Sequence, residues 1–325
     1  MPRQGRAMAE KNAGDIDLSR PAPLSVSIVI TAYNHERYIA EALESVLTQD
    51  LVPREIILVD DGSTDDTFRI AHGYEARGVT IIQRENGGPS SAFNQGAARA
   101  TGDVLVFFSG DDVLMAGSIR QRVEVLASAQ HDIVCSVPEW IGSDGRKLSQ
   151  REHPAHFPPF GAPTPTEMFA KLYYDGNFIC APSVAMTRDC WLETGELDSG
   201  FWQLQDYDYW LRACAKNKRF FCLPEPCVYY RWHGKNLSER NTLKSVYEME
   251  TIWLEAPRYL EQEMLMDLVF GGAFSTFETP LTPDDLRMFV RRKHQNNIVK
   301  QHARNELQQA FRSPEAAARL AAGVF

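Results

Sequence analysis

Four short apolar runs recur in the first 112 residues, and each is followed at once by polar residues. Val26-Ser-Ile-Val-Ile30 precedes Thr31-Ala-Tyr-Asn34, and Glu55-Ile-Ile-Leu-Val59 precedes Asp60-Asp61-Gly62-Ser63. Val79 to Gln83 precedes Glu85-Asn-Gly-Gly-Pro89, and Val104-Leu-Val-Phe-Phe108 precedes Ser109-Gly-Asp-Asp112. Runs this short that lack apolar/polar alternation predict strands buried on both faces. Between the first two, apolar residues at 39, 43 and 47 and at 38, 42 and 46 form a helical stripe over His35 to Gln49. Ser63 or Thr64 is expected to cap a second helix with Asp65 and Asp66 in its first turn, and Ser90 a third that stops at Gly102. The resulting β-α-β-α-β-α-β order predicts a parallel sheet covered by helices.

Beyond Asp112 the pattern predicts a helix over about 114–128, a strand from Ile133 to Val137 and an irregular, proline-rich excursion at 151–166. A further strand is expected within Phe178–Met186, a helix over Tyr207–Lys216 and a last strand at Val228–Arg231. From about Thr242 to Ala321 the pattern is helical and amphipathic, broken near Pro257, Gly271-Gly272 and Pro280–Pro283. The chain therefore divides into a disordered tail (1–23), an α/β domain (24–238) and a helical C-terminal region (239–325). Trp253, Leu260, Met264, Met266 and Phe270 in that last region are expected to pack on the α/β domain, or to form a self-association or acceptor surface.

The net charge of −9 argues against nucleic acid as the main partner. The stretch before Pro23 has no apolar core of a secretory signal, and no run approaches the roughly 20 residues of a membrane helix, which predicts a cytoplasmic chain. In that setting the six cysteines, with no CxxC pair among them, are expected to be buried thiols.

Adjacent acids leaving a buried strand repel one another and lose hydration, so Asp111 and Asp112 call for a partner. A divalent cation whose other ligands are diphosphate oxygens would serve. The other polar clusters fall at strand ends on the same rim. Tyr33 suits a nucleobase, Asp61 suits base N–H or ribose hydroxyl, and the glycines after Asn86 allow close backbone approach. No GxGxxG follows the first strand and no Walker lysine motif is present, so phosphate binding is expected to run through the cation.

Val29-Ile-Thr-Ala-Tyr-Asn34, Val59-Asp-Asp-Gly-Ser-Thr-Asp65, Asn86-Gly-Gly88, Ala100-Thr-Gly-Asp103 and Ser109-Gly-Asp-Asp112 together resemble the nucleotide-binding half of a family 2 glycosyltransferase of the GT-A fold. Leu204-Gln-Asp-Tyr-Asp-Tyr-Trp-Leu-Arg212 resembles the segment with the family's catalytic base, and Tyr230-Arg-Trp-His-Gly-Lys-Asn-Leu-Ser238 the segment that closes the donor site. The likeness covers about residues 25–238. It implies a Rossmann-like, mostly parallel sheet flanked by helices, and inverting transfer of a sugar from a nucleoside diphosphate sugar, UDP-linked, to a saccharide, lipid-linked or protein acceptor. Carried over by position, Thr31, Tyr33, Asn34, Asp60, Asp61, Asn86, Gly87 and Asp111 bind the nucleotide. Asp112, Asp111 and His233 hold Mn²⁺ or Mg²⁺, and Asp206 is the general base. Ser109 stands where the family often has an acid, and Gln205 where a Glu often precedes the base. Asp60 is equally readable as a turn residue, Asp206 as a helix cap and His233 as a surface histidine. Two alternatives stand beside the transferase reading: a sugar-phosphate nucleotidyltransferase, although Thr31 to Arg37 lacks the glycines expected of its triphosphate loop, and a non-catalytic nucleotide-sugar-binding module, which Ser109 and Gln205 leave open.

Overall fold

The computed structural model describes residues 24–149, 160–239, 243–271 and 281–324; the expected tail and most of the proline-rich excursion, with His153 and His156, lie outside them. The first half alternates as its pattern predicts: β1 (Val26–Ala32), α1 (Ile39–Leu47), β2 (Glu55–Asp60), α2 (Thr67–His72), β3 (Val79–Gln83), α3 (Pro89–Arg99) and β4 (Val104–Ser109). Then follow β5 (Val113–Leu114), α4 (Ser118–Ala127), β6 (Ile133–Ser136), β7 (Glu139–Gly142), α5 (Pro165–Asp175), β8 (Ala185–Thr187) and α6 (Arg188–Thr194). The domain closes with α7 (Gln205–Ala215), β9 (Phe220–Leu223) and β10 (Val228–Trp232).

The main sheet has seven strands in the order β3-β2-β1-β4-β8-β6-β9. β3, β2, β1 and β4 run parallel, β8 is antiparallel to both its neighbours, and β9 is parallel to β6. Alternate residues of each strand feed two cores, because successive side chains point to opposite faces. Val29, Leu105 and Phe107 pack with α3, α5 and α7, whereas Ile28, Ile30, Val106 and Phe108 pack with α1 and α4. This explains why β1 and β4 read as continuous apolar runs. A second sheet, β5-β10-β7, stands over the ends of β1 and β4 and supplies what covers Asp111 and Asp112.

Several local expectations need correction. The α2 start is served by Asp65, whose Oδ1 accepts the Thr67 N–H at 3.0 Å; Ser63 instead accepts the Asn34 N–H at 2.9 Å. Pro89 opens α3, where its missing N–H costs nothing, and the Ser90 hydroxyl donates to the Phe201 carbonyl at 2.8 Å. The segment 178–186 is strand only at its end, since a single tight turn at Ala181–Ser183 containing Pro182 interrupts it. The elements β5, β7, β9, α5 and α6 were not expected, and of these β5, β7 and β9 have at most four residues of pattern to read.

The C-terminal region forms α8 (Leu243–Glu255), α9 (Gln262–Phe270), α10 (Pro283–Lys293), α11 (Asn297–Ala310) and α12 (Pro314–Val324). Leu260, Met264 and Met266 are buried in the same core as α5 and α7, with Trp253 and Phe270 packed against it. Tyr173 of α5 donates to the Trp253 carbonyl at 2.8 Å, and Arg291 of α10 donates to the Leu254 carbonyl. These helices thus belong to one face of the α/β domain. All six cysteines are buried free thiols. Among the described residues no helix is long and apolar enough to cross a membrane.

Candidate active site

The carboxyl ends of β1, β2 and β4 open into a cleft of about 1310 Å³. Open α/β sheets bind ligands at that end, and the volume exceeds the range typical for a single small ligand. Thr31, Tyr33, Asn34, Asp61, Asn86, Asp111, Asp112, Asp206 and His233 all line it. Asp60 and Gly87 do not.

Adjacent residues at a strand end face opposite ways, and this separates Asp60 from Asp61. Asp60 is fully buried, with neither carboxylate oxygen hydrogen-bonded. Asp61 faces the cleft, and its two oxygens accept the Gly87 and Gly88 N–H groups at 3.0 and 2.8 Å, with Arg84 at 3.2 Å. Burial nevertheless raises its pKa above the usual carboxylate range. Gly62 must be glycine: its φ is +75°, and a Cβ would lie 2.7 Å from the Asn86 nitrogen. Asn34, at φ +57°, turns its side chain back so that Oδ1 accepts the Thr64 N–H at 2.8 Å. Tyr33 remains 46% exposed, its ring free to meet a planar ligand.

The Asp111–Asp112 pair is less open than a strand-end position suggests; Asp112 is only 1% exposed. The cover is Arg231 of β10, itself buried. Its backbone N–H donates to Asp112 Oδ1 at 2.8 Å, and its Nε donates to the Asp111 carbonyl at 2.8 Å. Its remaining nitrogens donate to the Gly142 carbonyl and to Glu41, and its guanidinium lies 4.7 Å from the Tyr38 ring centroid. Arg231 was not singled out from sequence, although an arginine inside an apolar strand is the signal that could have found it.

Asp111 is flanked by two imidazoles. His233 Nε2 lies 3.1 Å and His35 Nε2 3.6 Å from Asp111 Oδ2, and Ser109 donates to Oδ1. Burial opposes ionisation of Asp111, but these partners outweigh it and hold the carboxyl well below its ordinary range. Asp112 moves the other way, raised by burial and by the Asp111 charge, with Arg231 offsetting part of the rise. His233 stacks on Tyr38 and its Nδ1 accepts the Lys235 N–H at 3.3 Å, so Nε2 is the nitrogen that faces Asp111. His35 is a second residue that sequence reading passed over.

Asp206 lies across the cleft in the first turn of α7, within the helix rather than before it. Its Oδ1 accepts the Tyr207 N–H at 2.8 Å, and Oδ2 accepts from Asn177 Nδ2 at 3.2 Å. Burial raises its pKa to about 6, which these hydrogen bonds only partly offset. Its neighbour Asp208 points away, buried, accepting from Arg212 at 2.7 Å and from the Tyr259 hydroxyl at 2.9 Å. The far wall comes from α8, through Ser245, Val246, Met249, Glu250 and Trp253.

Residues 27–195 match the family model described as Glycosyl transferase family 2. The chain belongs to glycosyl transferase family 2. Among relatives in the same family, an uncharacterized glycosyltransferase of Nostoc sp., alr2836, is 27% identical over 219 residues, 66% of this chain and 66% of that protein. EpsJ of Bacillus subtilis, also an uncharacterized glycosyltransferase, is 40% identical over 111 residues, 34% of this chain and 32% of its own length. The fold is similar to that of TarS 1–349 from S. aureus, solved in complex with UDP (TM-score 0.56) and with UDP-GlcNAc (TM-score 0.57). Each comparison is at 17% identity and covers 83% of this chain, with 70% and 71% of the TarS chains. The family 2 fold thus accounts for the mostly parallel sheet with helices on both faces.

Proposed function

We propose that this family 2 chain transfers a sugar from a UDP-linked donor to a hydroxyl group of a saccharide, free or carried on a lipid or protein, with inversion at the anomeric carbon. The observation that carries the reading is the opposition, within one cleft, of the strand-end groups Thr31, Tyr33, Asp61, Asn86, Asp111 and Asp112 to the carboxylate of Asp206. UDP and UDP-GlcNAc in the TarS structures support a nucleotide-sugar donor. Tyr33 offers a face to the base, and Asp61 offers oxygens to base N–H or ribose hydroxyl.

The acceptor hydroxyl must lose its proton as it attacks. A carboxylate that titrates near 6 is ionised at neutral pH yet more basic than an ordinary Asp, which suits Asp206 to take that proton. Inversion needs one such base and no covalent intermediate.

Among the described residues no three His, Cys, Asp or Glu side chains are already arranged as a metal-ion group. The donor chemistry nonetheless fits a hard cation with few protein ligands. Asp112 Oδ2 is buried without a partner, and Asp111 Oδ2 lies 3.1 Å from His233 Nε2; all three residues line the cleft. Asp112, Asp111 and His233 would hold Mn²⁺ or Mg²⁺, leaving diphosphate oxygens to complete the shell. When bound, the cation would offset the charge that develops on the departing diphosphate.

Calorimetry with UDP, in Mn²⁺ and then in EDTA, tests donor and cation together. Binding that depends on Mn²⁺, followed by UDP release from one of a panel of UDP-sugars, is the expected result. UDP affinity unchanged in EDTA would remove the cation from the reading, and binding with no turnover of any donor would leave a binding module.

A further inference from the structure

We propose that Glu248 of α8 is a positioning residue that clamps the segment Trp202-Gln203-Leu204 and so fixes both Asp206 and the Trp202 face of the cleft. The inference rests on the reading of Asp206 as the base. Glu248 is 2% exposed. Its Oε1 accepts the Trp202 N–H at 2.9 Å, and its Oε2 accepts the Gln203 and Leu204 N–H groups at 3.0 and 3.1 Å. Three successive backbone donors converging on one carboxylate form an anion-binding concavity, and charge-assisted hydrogen bonds of this kind are the stronger ones.

The clamped segment is where the two sides of the cleft meet. Leu204 is the residue from which α7 starts, two positions before Asp206, and its carbonyl accepts the Asp208 N–H at 3.1 Å. The Trp202 indole packs against Gly88, where a Cβ would lie 3.2 Å from the ring, and Gly88 is the residue whose N–H is held by Asp61. Lys244, one turn before Glu248, places its ammonium 4.3 Å from the Trp202 ring centroid. One side chain from outside the matched family region thus ties the start of α7 to the loop that Asp61 anchors. The N–H groups of Trp202, Gln203 and Leu204 precede α7 and lie in no strand, so these backbone donors depend on Glu248. A loose segment would let Asp206 drift, and a misplacement of about 1 Å can cost on the order of 10²-fold in rate.

The test uses the full chain carrying Glu248→Gln, which keeps the shape but turns an amide NH₂ toward backbone donors. Hydrogen-exchange mass spectrometry should report exchange at 202–204 faster by about tenfold or more, with β1 and β4 unchanged. For the UDP-sugar with the fastest UDP release, kcat should fall by about tenfold or more while the donor KM stays within about threefold. The acid limb of the rate profile should also move below about 6 as Asp206 regains water, which a general loss of stability would not do. Should Glu248→Gln fail to fold, Glu248→Asp, which keeps the charge but is one methylene short, should show the same three changes at smaller size. Unchanged exchange at 202–204, or unchanged kcat and acid limb, in the variant that folds would overturn the clamp. An Asp206→Asn protein as active as wild type would instead overturn the base assignment, and the positioning role with it.

Discussion

The two walls of the cleft are built in different ways. The donor-side wall is mostly local: Thr31, Asp61, Asn86 and Asp111 stand at or just past the ends of the first four strands, and Asp61 is held by the backbone of the neighbouring Gly87-Gly88 loop. The opposite wall is assembled from afar, from Asn177 after α5, Asp206 at the start of α7, and α8 beyond the family match. A nucleotide presents one shape to all such enzymes, so a repeated strand-end device can hold it. The opposite wall has no such repeat, because its residues come from separate segments of the chain.

Removing the C-terminal region should strain this contrast most. A chain ending at residue 240 loses α8 and bares the core of α5 and α7, and the expected outcome is loss of soluble folded protein, read by sedimentation and circular dichroism. A soluble truncated chain that keeps UDP affinity would show the donor wall to be self-sufficient and would deepen the contrast.

Asp206→Asn comes next. Transfer kcat should fall by about 10²-fold or more while UDP affinity holds, because the residues proposed to hold the nucleotide lie on the other wall. Turnover within about threefold of wild type would place the base elsewhere. Asp208, committed to Arg212 and Tyr259, is a poor substitute.

A smaller effect is expected from Asp112→Asn, which retains an acceptor for the Arg231 N–H. UDP affinity in Mn²⁺ should weaken by about tenfold or more, with little change in its EDTA value. Alanine would be a worse probe, since Asp112 is buried and the Arg231 N–H would be left unpaired.

The smallest effect concerns pH. kcat/KM should decline as pH falls through about 6, where Asp206 takes up a proton. Its folded pKa lies above the unfolded value near 4. The folded state therefore binds the extra proton between those two values, and above about 6 the fold carries the cost of a desolvated charge. Asp206→Asn should raise Tm at pH 7.5, and the gain should vanish as pH approaches about 4. A Tm difference that does not vary with pH would mean that Asp206 is better solvated than its burial implies.

The same contrast governs what could be read from sequence. The first four strands and their polar ends were legible because a buried parallel strand and its following turn are contiguous in the chain. Asp60 and Asp61 were not separable, since which of two adjacent carboxylates faces the cleft depends on strand phase relative to helices on either side. His35 was hidden by standing at the entry to α1, where it reads as part of a helix. Arg231 carried a signal, an arginine within an apolar strand, but what it and Glu248 bond to was out of reach for a different reason. Their partners lie 119 and 44 to 46 residues away, and no periodicity links them.

Arg231 has a further consequence, in the order of synthesis. β1, β2 and β4 with their helices can pair as soon as about residue 112 has left the ribosome, but Asp112 then has no Arg231 beside it. At about 5–20 residues per second, the intervening 119 residues take roughly 6–24 s to make. During that interval Asp112 lacks its Arg231 N–H, and Asp111 has Ser109 and His35 but not yet His233. The nucleotide pocket is therefore a late product of translation, sealed only when the last strand arrives.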